Sequence, residues 1–151
     1  MELITIEEFF IIGLSIRTTN ENEQSATDIP ALWNKFMNEN TIENIPNKID
    51  NSIYSVYTEY EKDYTKPYTT ILGCKVSSLD NIPTGMTGKT IAKETYKQFT
   101  AKGNLADGIV IQKWIEIWNT DLNRKYTADF EIYGEKASNP ENAEVPIFIA
   151  I

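Results

Sequence analysis

One order of elements, strand–helix–strand–strand, can be read twice along this chain, and that repetition limits the folds open to it. In the first pass, Phe9–Thr18 is rich in β-formers and runs into polar loop residues. Asp28 is a good N-cap, and Pro30 fits a first helical turn, where its missing N–H costs nothing. Ile29, Leu32, Trp33, Phe36 and Met37 then recur at helical spacing and make one apolar stripe, which should fade near Asn40. Residues 53–60 and 68–76 read as two strands. After a loop carrying Pro83, Gly85 and Gly88 the order returns. Residues 89–100 are extended with a bend near Lys93, and Gly103 closes them. Asn104 or Asp107 can cap a second helix with a stripe of Val110, Trp114, Ile117 and Trp118. Residues 128–135 and 145–151 supply the last two strands, and the segment before Phe9 can either pair or fray. One helix covers only part of a sheet. The pattern therefore predicts an α+β domain over residues 1–151, built from duplicated βαββ units at about 1–80 and 86–151. They should form one antiparallel-rich sheet with both helices on one face. A ligand cleft is expected in the seam between the halves, on the concave side opposite the helices.

Composition removes whole classes of function. The 151 residues are 41% hydrophobic, enough for a packed core. A net charge of −8 repels phosphate backbones and anionic membranes and favours cationic ligands, so no nucleic-acid partner is expected. No apolar run approaches the roughly 20 residues of a membrane span, and the start lacks the basic region of a signal peptide. A single cysteine, Cys74, fits a reducing cytoplasm. With no histidine, Ser-His-Asp and Cys-His nucleophilic systems cannot be built, nor zinc sites of the usual His and Cys type. No metal or other cofactor is expected. Gly85-Met86-Thr87-Gly88-Lys89-Thr90 looks like the end of a phosphate-binding loop, but Pro83 stands where the first glycine belongs and extended residues follow. A phosphate loop must open a helix, so a glycine-rich turn is the better reading.

Tyr126 to Tyr133 carries the most suggestive chemistry. Period-2 alternation puts Phe130 and Ile132 on one strand face and Glu131 and Tyr133 on the other. If that second face lines a closed cleft, a carboxylate among rings is costly until a cation arrives. A strand whose polar face meets water would carry the same residues. Tyr57 and Tyr54 take opposite faces of their own strand, in either register. Trp33 belongs to the first helical stripe, yet is large enough to reach a cleft wall. Trp114 and Trp118 fit the core of the second stripe.

Four segments together resemble the GyrI-like effector-binding family, also known as the effector-binding domain of AraC-type regulators. The likeness is strongest to its stand-alone branch associated with integron cassettes. They are Ile29-Pro30-Ala31-Leu32-Trp33-Asn34-Lys35-Phe36, then Tyr54-Ser55-Val56-Tyr57 with residues 68–73, then Tyr96-Lys97-Gln98-Phe99 with Gly103. The last is Tyr126 with Asp129-Phe130-Glu131-Ile132-Tyr133 and Val145-Pro146-Ile147-Phe148-Ile149. The resemblance implies a duplicated βαββ fold whose cleft takes bulky, often cationic and aromatic compounds. Its recurrent acid matches Glu131, an aromatic of the opening strand matches Tyr96, and one in the last strand matches Phe148. Regulators of the family often carry Tyr in that last strand, so Phe148 keeps a ring but loses a hydroxyl.

The expected function is binding of a cationic, aromatic, amphipathic small molecule without a DNA-binding domain, by sequestration or effector sensing. The candidate ligand-binding residues are Glu131, Tyr96, Tyr133, Phe148, Trp33 and Tyr57. Two other classes stay open. One is a hydrolase of reactive small molecules in which Glu131 works with Tyr126 or Tyr133. The other is an inhibitor that binds a protein partner.

Overall fold

The computed structural model describes residues 3–151. In chain order the elements are β1 (Leu3–Ile6), β2 (Phe9–Thr18), α1 (Ser25–Asn38), α2 (Thr41–Asn44), β3 (Ile53–Thr58) and β4 (Tyr68–Val76). They continue with β5 (Thr87–Ile91), β6 (Glu94–Gly103), α3 (Ile109–Trp118), β7 (Ala128–Tyr133) and β8 (Ala143–Ala150). All eight strands join one antiparallel, curled sheet in the order β1-β6-β8-β7-β3-β4-β2-β5. Within the segment before Phe9, undecided by sequence, Leu3–Ile6 is a strand, and it crosses over. β1 pairs with β6, while β5 pairs with β2, so the lead strand of each half caps the other half's edge. The two halves meet at β3 and β7, where Ser55 lies opposite Glu131.

Alternation along the strands sorts the core into two faces. On one face α1 lays Leu32 and Phe36 over Ile12, Leu14, Leu72 and Cys74. On the same face α3 lays Trp114 and Ile117 over Ile147 and Ile149. Both helices are thus on one side, as the stripes predict, although Met37 at the stripe's edge is exposed. The opposite face has no helix, yet Phe9, Tyr54, Val56, Tyr96, Phe130 and Phe148 are buried there, because the sheet curls around them. At the bend Gly13 lies directly opposite Gly73. A Cβ on Gly13 would stand 1.9 Å from the Leu72 carbonyl oxygen, so only glycine lets these backbones approach.

Local signals placed the helix ends imperfectly. α1 begins at Ser25, three residues before Asp28, because Thr19 O accepts the Ser25 N–H at 2.9 Å and Asn20 Oδ1 accepts its hydroxyl at 2.8 Å. Asp28 is therefore inside the helix, where its Oδ2 accepts from Thr18 Oγ1 and Gln24 Nε2. Asn104 does cap, but it caps the 3-10 turn Leu105–Asp107, and α3 follows a left-handed Gly108. The segment after Gly85 is strand β5, so no helix opens on Lys89. No helix of the described residues is long and apolar enough to cross a membrane.

Candidate functional site

β3 and β7, at the junction of the halves, turn Ser55, Tyr57, Glu131 and Tyr133 toward the helices. Their register makes one row across six strands: Leu14, Leu72, Ser55, Glu131, Ile147 and Phe99. Glu131 is the charged member of that row and is 1% exposed. Three donors close around its carboxylate. The Tyr57 hydroxyl donates to Oε2 at 2.8 Å, Trp114 Nε1–H donates to Oε2 at 2.6 Å, and the Tyr133 hydroxyl donates to Oε1 at 2.6 Å. Ser55 Oγ lies 3.1 Å from the Tyr57 hydroxyl and completes the chain. Trp33, from α1, packs edge-on against Tyr133 with ring centroids 4.8 Å apart. Among the described residues no Lys or Arg stands within salt-bridge distance of Glu131. Burial raises its pKa, and the hydrogen bonds from Tyr133, Trp114 and Tyr57 only partly oppose that. Burial and the neighbouring carboxylate raise the Tyr57 and Tyr133 hydroxyls, which stay protonated donors.

Directly over this acid lies a cleft of about 90 Å³ that opens to solvent between the two helices. Its floor is Tyr57 and Trp114, the two rings that seal Glu131 from it. Ser25 and Ile29 of α1 form one wall, and Ile111 and Trp118 of α3 form the other. The β3–β4 loop reaches across the gap, where Tyr64 stacks on Trp118 at 5.4 Å and 9°. Tyr60 and Tyr68 line the same space, and Asn20 Oδ1 accepts the Tyr68 hydroxyl at 2.7 Å. The cleft is therefore on the helix-bearing side of the sheet, and the expectation of a seam on the opposite side is corrected. The sheet's curl fills that opposite side with its own rings, leaving the gap between the helices as the open space.

Of the six residues singled out by sequence, Glu131, Tyr57, Tyr133 and Trp33 come together in one chain of contacts, and of these Tyr57 lines the cleft itself. Tyr96 and Phe148 do not join them. Each sits on an even-numbered strand position and points into the opposite core, packed with Phe130 at ring-centroid distances of 5.2 and 5.0 Å.

Several residues at the cleft were not singled out. Trp114, read as core, is core and floor at once, because its ring packs while its N–H meets the acid. Tyr60, Tyr64 and Tyr68 carried a signal, since five of the eight tyrosines fall between Tyr54 and Tyr68. Asp129 and Arg124 were missed outright. Asp129 is fully buried, pairs with Arg124 Nη2 at 2.8 Å, and accepts from the Tyr60 hydroxyl at 2.6 Å and the Ala150 amide at 2.8 Å. Burial raises the Asp129 pKa against the pull of Arg124. Burial alone would weaken the Arg124 cation, but the charge and hydrogen bond of Asp129, with the neighbouring Tyr60 and Tyr126, together outweigh it and shift that pKa upward. Nothing in the local sequence pairs these two; loop residue and strand meet only when the sheet forms. Among the described residues no group of three or more metal-ligating side chains is present.

A sequence model described as integron-associated effector binding protein matches residues 2–151. The chain belongs to this family. An integron cassette protein from the mobile metagenome of Vibrio cholerae, VCH_CASS2, has the same fold with a TM-score of 0.77 and 30% identity. That alignment covers 99% of this chain and 94% of the other. YobU of Bacillus subtilis strain 168, named as a transcriptional regulator, is 32% identical over 143 residues, covering 92% of this chain and 89% of its own length. The structure of SAV2435 bound to tetraphenylphosphonium superposes with a TM-score of 0.78 at 19% identity, covering 99% of this chain and 92% of that one. Family membership makes this chain a small-molecule effector-binding protein, and the aromatic cleft is the place its geometry offers.

Proposed function

We propose that this protein is a receptor for aromatic, amphipathic cations, taken up between α1 and α3 with Glu131 as the counter-charge. One observation carries the reading: a fully buried carboxylate, without a cationic partner among the described residues, lies under the aromatic floor of an open cleft. A cation over a ring gains roughly 0.5–2 kcal/mol per good contact. A carboxylate at low dielectric adds attraction, less the cost of desolvation. Micromolar affinity, about −8 kcal/mol, is within reach of one such charge pair with several ring contacts. The cleft in its present form has room on the scale of one aryl group. A bulkier ligand would lift Tyr64 from Trp118 and turn Tyr57 or Trp114 aside to reach the acid. SAV2435, which shares the fold, was solved with a bulky aryl cation, tetraphenylphosphonium.

Such a protein acts by holding its ligand or by presenting the ligand-bound state to a partner. The net charge of −8 weighs against direct contact with DNA. The test is calorimetric titration with tetraphenylphosphonium against tetraphenylmethane derivatives of matched shape and no charge. Preference for the cation is expected, and equal affinity for both would remove Glu131 from the account. A second reading has its own support: a carboxyl with a raised pKa held by the Tyr57 and Tyr133 hydroxyls is a general acid–base arrangement. A hydrolase of reactive electrophiles would show turnover of a neutral substrate, abolished in Glu131→Gln.

A further inference from the structure

The cleft has a second charged station, and it has the opposite sign. Arg124 lines the cavity with its side chain 5% exposed. Among the described residues one of its three nitrogens is used: Nη2 donates to Asp129, while Nε and Nη1 have no hydrogen-bond partner there. Buried donors without acceptors are rare and costly, the more so on a cation. The guanidinium is also held in a fixed orientation. Its carbon is 4.3 Å from the Tyr126 ring centroid and 5.9 Å from that of Trp114. Tyr126 takes a left-handed backbone (φ 57°), uncommon for a bulky residue, to place that ring. Trp114 thus separates two stations, with Glu131 on its indole N–H and Arg124 near its ring.

We propose that Arg124 is a carboxylate-binding subsite, so that the preferred ligands are aromatic zwitterions carrying a carboxylate at the end away from the cation. This rests on the cation-receptor reading above and adds to it the chemistry of the ligand's other end. Asp129 keeps the guanidinium charged and in place, and the ligand's carboxylate satisfies the donors that Asp129 leaves open. The fork of an arginine suits a carboxylate better than a lysine ammonium does.

The test uses two probes that differ in one group: tetraphenylphosphonium and (4-carboxyphenyl)triphenylphosphonium. Binding of each to the whole protein is measured by calorimetry. The carboxylated probe should bind at least ten-fold tighter. Arg124→Lys keeps a positive charge beside Asp129 but loses the fork, and the ratio between the probes should fall toward one. Should that variant not fold, the wild-type ratio alone decides. Tetraphenylphosphonium binding with an equal or weaker carboxylated probe would overturn the subsite and leave the cation receptor standing. A carboxylate preference that survives Arg124→Lys would place the carboxylate-binding site elsewhere and overturn the proposal equally. Binding of neither probe would overturn both readings.

Discussion

Glu131→Gln separates charge from shape at the centre of the site. The amide oxygen can still accept from Trp114 and Tyr57, and the amide nitrogen can donate to Tyr133, whose hydroxyl can turn to accept. The fold should therefore hold, with stability changed by no more than about 1 kcal/mol in thermal melts. Affinity for tetraphenylphosphonium should fall by roughly 2–5 kcal/mol, as when one partner of a buried charge pair is removed. The pH dependence has a definite sign. Burial raises the Glu131 pKa above the ordinary glutamate range. Any stability tied to the protonated form is present at low pH and is lost as pH rises through the folded pKa. Cation binding runs the other way, since it needs the carboxylate. Affinity for this permanent cation should rise with pH, up to about ten-fold per unit below the folded pKa, and then level off. Calorimetry across pH checks this, and the dependence should vanish in Glu131→Gln. Cys74 is a plainer case: it is buried, and its thiol is pushed up to about 11, so it should be inert to thiol reagents until the chain unfolds.

At the scale of elements, β2 and β4 depend on a glycine pair and α3 on a glycine start. Gly13→Ala would drive a methyl group into the Leu72 carbonyl and should cost about 3 kcal/mol or more, read as a shift in the urea midpoint. Gly108 begins α3 at φ 71° with space beside it, the nearest atom being Ile111 Cγ2 at 3.4 Å. Gly108→Ala should therefore cost only the backbone strain, roughly 1 kcal/mol. The contrast separates steric exclusion from conformational preference. The stripes of α1 and α3 were legible as periodicity because each helix has one partner, the sheet, and the apolar spacing records it. The start of α1 was not legible, since the Ser25 amide donates back to the Thr19 carbonyl and its hydroxyl to Asn20 Oδ1 in a geometry no local rule encodes.

Across the whole molecule the crossed lead strands tie the halves together. β1 belongs to the first half in sequence and to the second in the sheet, and β5 does the reverse. Neither half can complete its sheet alone. Residues 1–80 and 86–151 made separately should lack stable structure by circular dichroism, and the full chain should unfold in one transition. Labelling of Cys74 should follow that same transition. A folded isolated half would show the crossing to be dispensable.

The sequence by itself determined the repeated order of elements, the placement of both helices on one face and the pairing of Glu131 with Tyr133 on a single strand side. Those properties follow from hydrophobic period and alternation, which are local. Tertiary structure alone decided which side holds the open space, because that depends on how the sheet curls and which rings fill its inner face. It also decided the partners of the acid. Tyr57, Trp114 and Tyr133 come from three elements, so no short window of sequence contains the acid's partners, and Arg124, five residues before Asp129, meets it only through the path of the intervening loop. A strand fixes the face on which a side chain emerges; the register of its neighbours fixes what that side chain meets.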